Sequence, residues 1–212
     1  MVEKMIKLFS IDSLLMRRLA LLADLMILNI LFILTSFPIL TIGASITALN
    51  CSWQRIFRGE TEKIVSSYFG YFKDNFYQAT YMWFGLIISG IILILESIFF
   101  LGQVGLVRWL GLVVLLFLSV IWILISTVGL TYIGRYTGSL FQSMKNSLLL
   151  AFKCPFYCIF LIWLNAFVVY FALGSVVGMM TAIYAGTFGG FSLLAGINAW
   201  SVKHIFKKIE EN

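Results

Sequence analysis

The sequence predicts an all-α fold, a polytopic transmembrane helical bundle, and three features predict it: composition, the spacing of the apolar runs and the placement of the basic residues. Apolar residues fill 61% of the 212 positions and charged residues only 11%. A water-soluble globule of this size needs more polar surface than that. A membrane-crossing helix takes about 20 mostly apolar residues, and the windows 19–37, 80–101, 106–133, 155–177 and 180–201 qualify. The last two form one apolar run, so a turn is expected near Gly178 to Thr181. Residues 1–212 therefore read as a single integral membrane domain with no second, soluble domain.

The net charge of +6 would suit nucleic acid if the basic residues formed a patch. They do not. Fourteen of the fifteen fall in four segments: Lys4 to Arg18, Arg55 to Lys73, Arg135 to Lys153, and Lys203 to Lys208. Arg108 alone lies elsewhere. Cytoplasmic flanks of membrane helices carry the Lys/Arg excess, and anionic lipid attracts them there. The partner these charges imply is the lipid bilayer, with no nucleic acid and with both termini cytoplasmic.

That rule decides the first element. Residues 34–45, LTSFPILTIGAS, interrupt an apolar stretch, and a single crossing through them would put the Arg55 to Lys73 segment outside. A turn at Pro38, Thr41 and Gly43 with a return leg over 44–57 keeps all four segments inside. Pro38 removes a backbone donor and disfavours helix at the residue before it. Thr35, Ser36, Thr41 and Ser45 can bond the backbone groups that the turn frees. Residues 19–57 are thus a broken hairpin whose return helix is short or re-entrant and buried against other helices. The bundle has five full spans plus this return helix, six segments in all.

The remaining layout follows. Residues 1–18 have an apolar face of Val2, Met5, Ile6 and Phe9 and suit an interfacial helix. Asp24 and Asn29 interrupt the apolar run that a signal peptide would need. Residues 61–79 repeat the pattern, with Ile64, Tyr68, Phe72 and Phe76 four apart, as a cytoplasmic amphipathic helix. Then come a helical hairpin over 80–133, a cytoplasmic connection over 134–154, a second hairpin over 155–201 and a tail over 202–212. The outer loops, near Gly102 to Gly105 and Gly178 to Thr181, are short.

The run LNILFILTSFPILTIGASITAL, residues 28–49, and the aromatic pattern SSYFGYFKDNFYQAT, residues 66–80, resemble the YesL-like family of bacterial membrane proteins, domain of unknown function 624. The likeness rests on Asn29, Pro38, Thr41, Gly43 and Ala48, and on Phe69, Phe72, Asn75, Phe76 and Gln78, with weaker agreement at Arg135 and Asn146. The resemblance implies a multi-pass protein of the bacterial cytoplasmic membrane. It also implies a part in carbohydrate uptake beside the subunits of an ABC-type transporter. It implies no catalytic residue.

Ionisable and amide side chains inside the bilayer are functional candidates by default, which singles out Asp24, Asn29, Glu96 and Asn165. Each has a bland alternative. Asp24 can pair with Arg17 or Arg18 at the interface, Glu96 can reach the outer headgroups, and the two asparagines can bond across helices. A second constellation is the small-residue series Gly174, Gly178, Ala182, Gly186 and Gly190, whose four-residue spacing lets helices approach closely. Packing within the chain is the simpler role for it. A partner protein, or a second copy in a homo-oligomer, is the other.

Enzyme chemistry finds little to work with. His204 is the only histidine, so HExxH is absent and no metal site is expected. GFSLL at Gly190 to Leu194 lacks the last glycine of a GxSxG turn and has no base beside it. Cys51, Cys154 and Cys158 are expected to be reduced thiols, and two thiols in one helix do not make a zinc site. No cofactor is expected. Two readings lead: a non-catalytic accessory of a carbohydrate uptake system, and a small-molecule carrier using Asp24, Asn29, Glu96 and Asn165. An intramembrane enzyme is a distant third.

Overall fold

The computed structural model describes residues 14–60, 62–134, 140–153 and 155–210. Within them the chain is helical throughout: α1 (Leu14–Ser36), α2 (Ile42–Phe57), α3 (Ile64–Asp74), α4 (Phe76–Leu101), α5 (Gly105–Ile133), α6 (Leu140–Lys153), α7 (Pro155–Gly174), α8 (Val176–Ala185) and α9 (Phe191–Glu210). A 3-10 turn, Ile39–Thr41, joins α1 to α2, and a π-helical turn, Gly186–Gly190, joins α8 to α9. Five stretches are long and apolar enough to cross a membrane: Leu15–Ser36, Phe76–Leu101, Gly105–Ile133, Pro155–Gly174 and Val176–Lys203. The protein is an integral membrane helical bundle.

The expected reversal at Pro38 is present. Leu25 on α1 shares a cleft with Trp53 and Phe57 near the far end of α2, so the two helices run antiparallel. Thr41 ties the corner, its hydroxyl donating to the carbonyls of Thr35 and Pro38 and its N–H reaching the Pro38 oxygen at 2.9 Å. Thr35 and Ser45 donate back to the Leu31 and Thr41 carbonyls. Ser36 makes no such bond among the described residues. At the tip Phe37 is 90% exposed, with Ile39 and Leu40 exposed beside it. A corner whose outward side chains are apolar and whose backbone is satisfied from within suits an apolar surrounding.

Helix α2 is the axis of the molecule. Of its 16 residues, all from Gly43 to Gln54 except Ile46 are buried. Among them are Ser45, Thr47, Asn50, Ser52 and Gln54. A helix enclosed by other helices can carry polar side chains that lipid would penalise. Thr47 donates to the Leu130 carbonyl of α5 at 3.2 Å, and the Cys51 thiol donates to Gly134 at 3.2 Å. At 16 residues α2 rises about 24 Å, short of a full bilayer core of about 30 Å.

Two boundaries differ from expectation. The turn placed at Gly178 to Thr181 lies at Ser175, whose hydroxyl accepts the Gly178 N–H at 2.9 Å and caps α8. Residues 178–181 are helical. The amphipathic helix set at 61–79 is shorter, because α3 stops at Asp74 and Phe76 already begins α4. Its Tyr68 is fully buried, the phenol 2.7 Å from the Thr35 hydroxyl, so α3 leans into the α1–α2 hairpin. Leu14 to Arg18 belong to α1 and not to a separate interfacial helix. The rest of the 1–18 segment, Arg135 and Cys154 lie outside the described residues, as does the side chain of His204.

Basic groups of α2 and α9 meet at one end of the bundle, away from Arg108 at the start of α5. Arg55 donates to the Ser67 hydroxyl and pairs with Glu60, Arg58 pairs with Glu60 at 3.1 Å, and Lys203 of α9 donates to the Phe57 carbonyl at 2.9 Å.

Candidate functional site

A cavity of about 370 Å³ lies between α2, α4, α5, α7 and α9. Its polar wall consists of Asn50 from α2, Ser126, Thr127 and Thr131 from α5, Asn165 from α7 and Asn198 from α9. Two indoles, Trp83 and Trp122, and aliphatic side chains such as Ile46, Leu86 and Ile91 complete it. Among the described residues no Asp, Glu, Lys, Arg or His lines it. A mostly apolar hollow with a few convergent polar groups is the usual form of a small-molecule site.

Each wall has a local cause. The Trp122 N–H donates to the Leu86 carbonyl and the Ser89 hydroxyl, both at 3.0 Å. That fixes its ring over Gly90, where an added Cβ would come within 3.0 Å of the ring. Asn165 Nδ2 donates to Asn198 Oδ1 at 3.2 Å and to its own helix at Leu161. The pair closes α7 onto α9. Thr127 and Ser126 turn their hydroxyls back to carbonyls of α5. Asn50 is 4% exposed and its Nδ2 donates to the Ile46 carbonyl at 3.0 Å, but its Oδ1 finds no partner among the described residues. The buried Trp83 Nε1 has none either.

The four intramembrane candidates are not brought together. Asn165 lines the cavity. Asn29 is 1% exposed and sits at the α8–α9 junction, donating to the Gly186 and Thr187 carbonyls at 2.9 and 3.1 Å and accepting the Ser192 N–H at 3.2 Å. Gly189 there has φ of 129°, a conformation open to glycine, and Asn29 satisfies backbone groups that the irregular turn leaves over. Glu96 borders a separate apolar groove between α4 and α5, with Ser89 and Leu118. Asp24 is half-buried on α1, and no ion pair joins it to Arg17 or Arg18 among the described residues.

The small-residue series does not make one face. An added Cβ at Gly178 would strike the Phe171 carbonyl, one at Gly186 the Phe191 ring and one at Gly190 the Ala185 carbonyl, while Gly174 faces open space. These contacts all lie within the α7–α8–α9 run. Ser192, of the incomplete GxSxG pattern, has its hydroxyl held by the Trp53 N–H at 3.0 Å.

No sequence motif marks Asn50, Asn198, Trp83 or Trp122. The cluster of Asn50, Ser52 and Gln54 on the return leg was the available signal, since polar residues there had to face protein.

Residues 25–97 match the model of a family described as protein of unknown function, DUF624. The stretch takes in most of the hairpin, α3 and most of α4, including both blocks that carry the resemblance. The match covers 73 of the 212 residues. No curated protein and no solved structure matches the chain. The DUF624 segment supplies the α2 and α4 walls of the cavity, Asn50 and Trp83 included, while Trp122, Thr131, Asn165 and Asn198 come from beyond it.

Proposed function

We propose that this protein is a non-catalytic membrane component of carbohydrate uptake that holds a small neutral solute in its central cavity and works beside the subunits of an ABC-type transporter. The observation that carries this reading is the amide- and indole-lined cavity within the bundle, which no charged side chain lines among the described residues. A hydroxylated solute leaving water loses hydrogen bonds at a cost of roughly 1–3 kcal/mol per unsatisfied group. Amides of Asn50, Asn165 and Asn198 and the Thr131 hydroxyl can replace them, and the apolar remainder excludes water.

The missing charge supports an accessory over a self-energised carrier. A proton- or ion-driven carrier needs a titrating or cation-binding group facing its solute, and Asp24 and Glu96 lie away from the cavity. Energy for concentration then has to come from a partner. On this reading the basic end of the bundle faces the cytoplasm.

Two measurements separate the readings. Purification of the tagged protein from native membranes is expected to bring transporter subunits with it. Vesicles holding the protein alone are expected to bind labelled sugar without accumulating it, and Asp24→Asn and Glu96→Gln are expected to behave as wild type. Sugar accumulation by the protein alone, lost in Glu96→Gln, would establish the carrier instead.

A further inference from the structure

The structure points to Asn50 Oδ1 and the Trp83 indole N–H as the two contacts by which the cavity selects a neutral ligand bearing hydroxyl groups. This rests on the solute-binding reading and adds to it the recognising atoms and the chemical class. We infer it from what these two groups lack. Asn50 is 4% exposed, already spends its Nδ2 on the Ile46 carbonyl, and leaves Oδ1 without a donor among the described residues. Trp83 Nε1 is a buried donor without an acceptor among the described residues. Both residues line the same cavity.

Buried polar groups are nearly always satisfied, and one that is not calls for an explanation. Here the explanation is complementary: one orphan accepts and the other donates. A hydroxyl both donates and accepts, so a ligand with hydroxyls can satisfy the two orphans together. An ammonium offers only donors and a carboxylate only acceptors, so each leaves one orphan unmet, and each enters a hollow with no counter-charge among the described residues, which is costly. Indole faces add a flat apolar surface for the C–H side of a sugar or polyol ring. The Asn165–Asn198 pair, with its second contact already long at 3.5 Å, can turn toward further hydroxyls.

The class is tested on the wild-type protein in detergent. Thermal unfolding is followed with glucose, maltose and sorbitol as neutral probes and with glucuronate, glucosamine and cyclohexane-carboxamide as charged or hydroxyl-poor ones. A ligand that binds only the folded state raises the unfolding temperature in a concentration-dependent way. At least one neutral hydroxylated probe is expected to do so and the others not. Stabilisation by a charged or hydroxyl-poor probe alone would overturn the class while leaving solute binding intact; stabilisation by none of the six would overturn both.

The residue assignment is tested with Asn50→Leu and Trp83→Phe, each expected to weaken the responding probe about tenfold, in line with loss of one buried hydrogen bond. Unchanged affinity in both overturns the assignment alone. Should either variant fail to fold, the Trp83 indole N–H resonance of the wild type replaces it: a downfield shift on adding the probe supports the contact, and an unmoved resonance at saturation overturns it.

Discussion

Asn29 on α1 donates through Nδ2 to the carbonyl of Gly186, 157 residues away, at 2.9 Å, and so ties the first helix to the irregular turn that opens the last one. The same side chain accepts the Ser192 N–H, and the Ser192 hydroxyl accepts the Trp53 N–H. One polar line thus joins α1, α2 and the α8–α9 junction at positions that are all buried. In the bilayer such a line does for helix association what apolar burial cannot, because lipid is as apolar as the side chains.

Replacing Asn29 with leucine should therefore loosen the ends of the bundle from each other. Loss of the interhelical bonds, with the Gly186 and Thr187 carbonyls left unsatisfied, should lower stability by about 1–3 kcal/mol. An SDS titration followed by circular dichroism measures it. A wild-type midpoint in Asn29→Leu would show that the line contributes nothing.

Gly43 sets the approach of α2 to α4. A Cβ there would lie 2.5 Å from the Ala79 carbonyl oxygen and 2.6 Å from the Trp83 Cβ, and the backbone oxygen cannot step aside. Gly43→Val should destabilise by about 1–3 kcal/mol through overpacking. It should also shift Trp83, so the emission spectrum changes as well. Gly85→Ala serves as the comparison, since nothing lies within 4 Å of its added Cβ. It should hold the wild-type unfolding temperature, and an equal loss in both variants would mean that the close approach is not the cause.

The hairpin fixes sidedness. A reporter at the N-terminus should give the same location as one fused after Glu60 or Lys153, and the opposite location to one placed after Gln103. The α4–α5 loop and the basic segments lie at opposite ends of a spanning pair. Opposite signals from the N-terminal and Glu60 reporters would mean that 19–57 crosses once and that the reversal at Pro38 does not form in the membrane.

Much of this architecture is legible in the sequence. The five spans declare themselves because lipid-facing helices must be apolar on nearly every side, and the reversal declares itself through Pro38 and the Arg55 to Lys73 charges. The Ser175 turn was placed three residues late because glycine at 178 reads as a breaker, whereas the cap that starts α8 is the preceding serine, whose hydroxyl takes the Gly178 N–H. The candidate site was only partly legible. Asn165 stands out as an amide in an apolar helix, but its partner Asn198 lies in a less apolar stretch, and Asn50 lies on the helix that no hydropathy window selects. Asn29 carries the same signal as Asn165 and turns out to brace a backbone turn. Nothing local in the sequence distinguishes an amide that meets another helix from one that meets a hollow.

Thr127 lines the cavity, and its hydroxyl bonds only carbonyls of its own helix, those of Ile123 and Leu124. Thr127→Phe should therefore fill the hollow without breaking a contact between helices. Equilibrium binding of a labelled neutral sugar to wild type and to Thr127→Phe in vesicles tests the central claim most directly. Saturable binding by wild type and its loss, by tenfold or more, in a Thr127→Phe protein with unchanged circular dichroism is the predicted result. Equal binding by both proteins, or none by wild type, would contradict it.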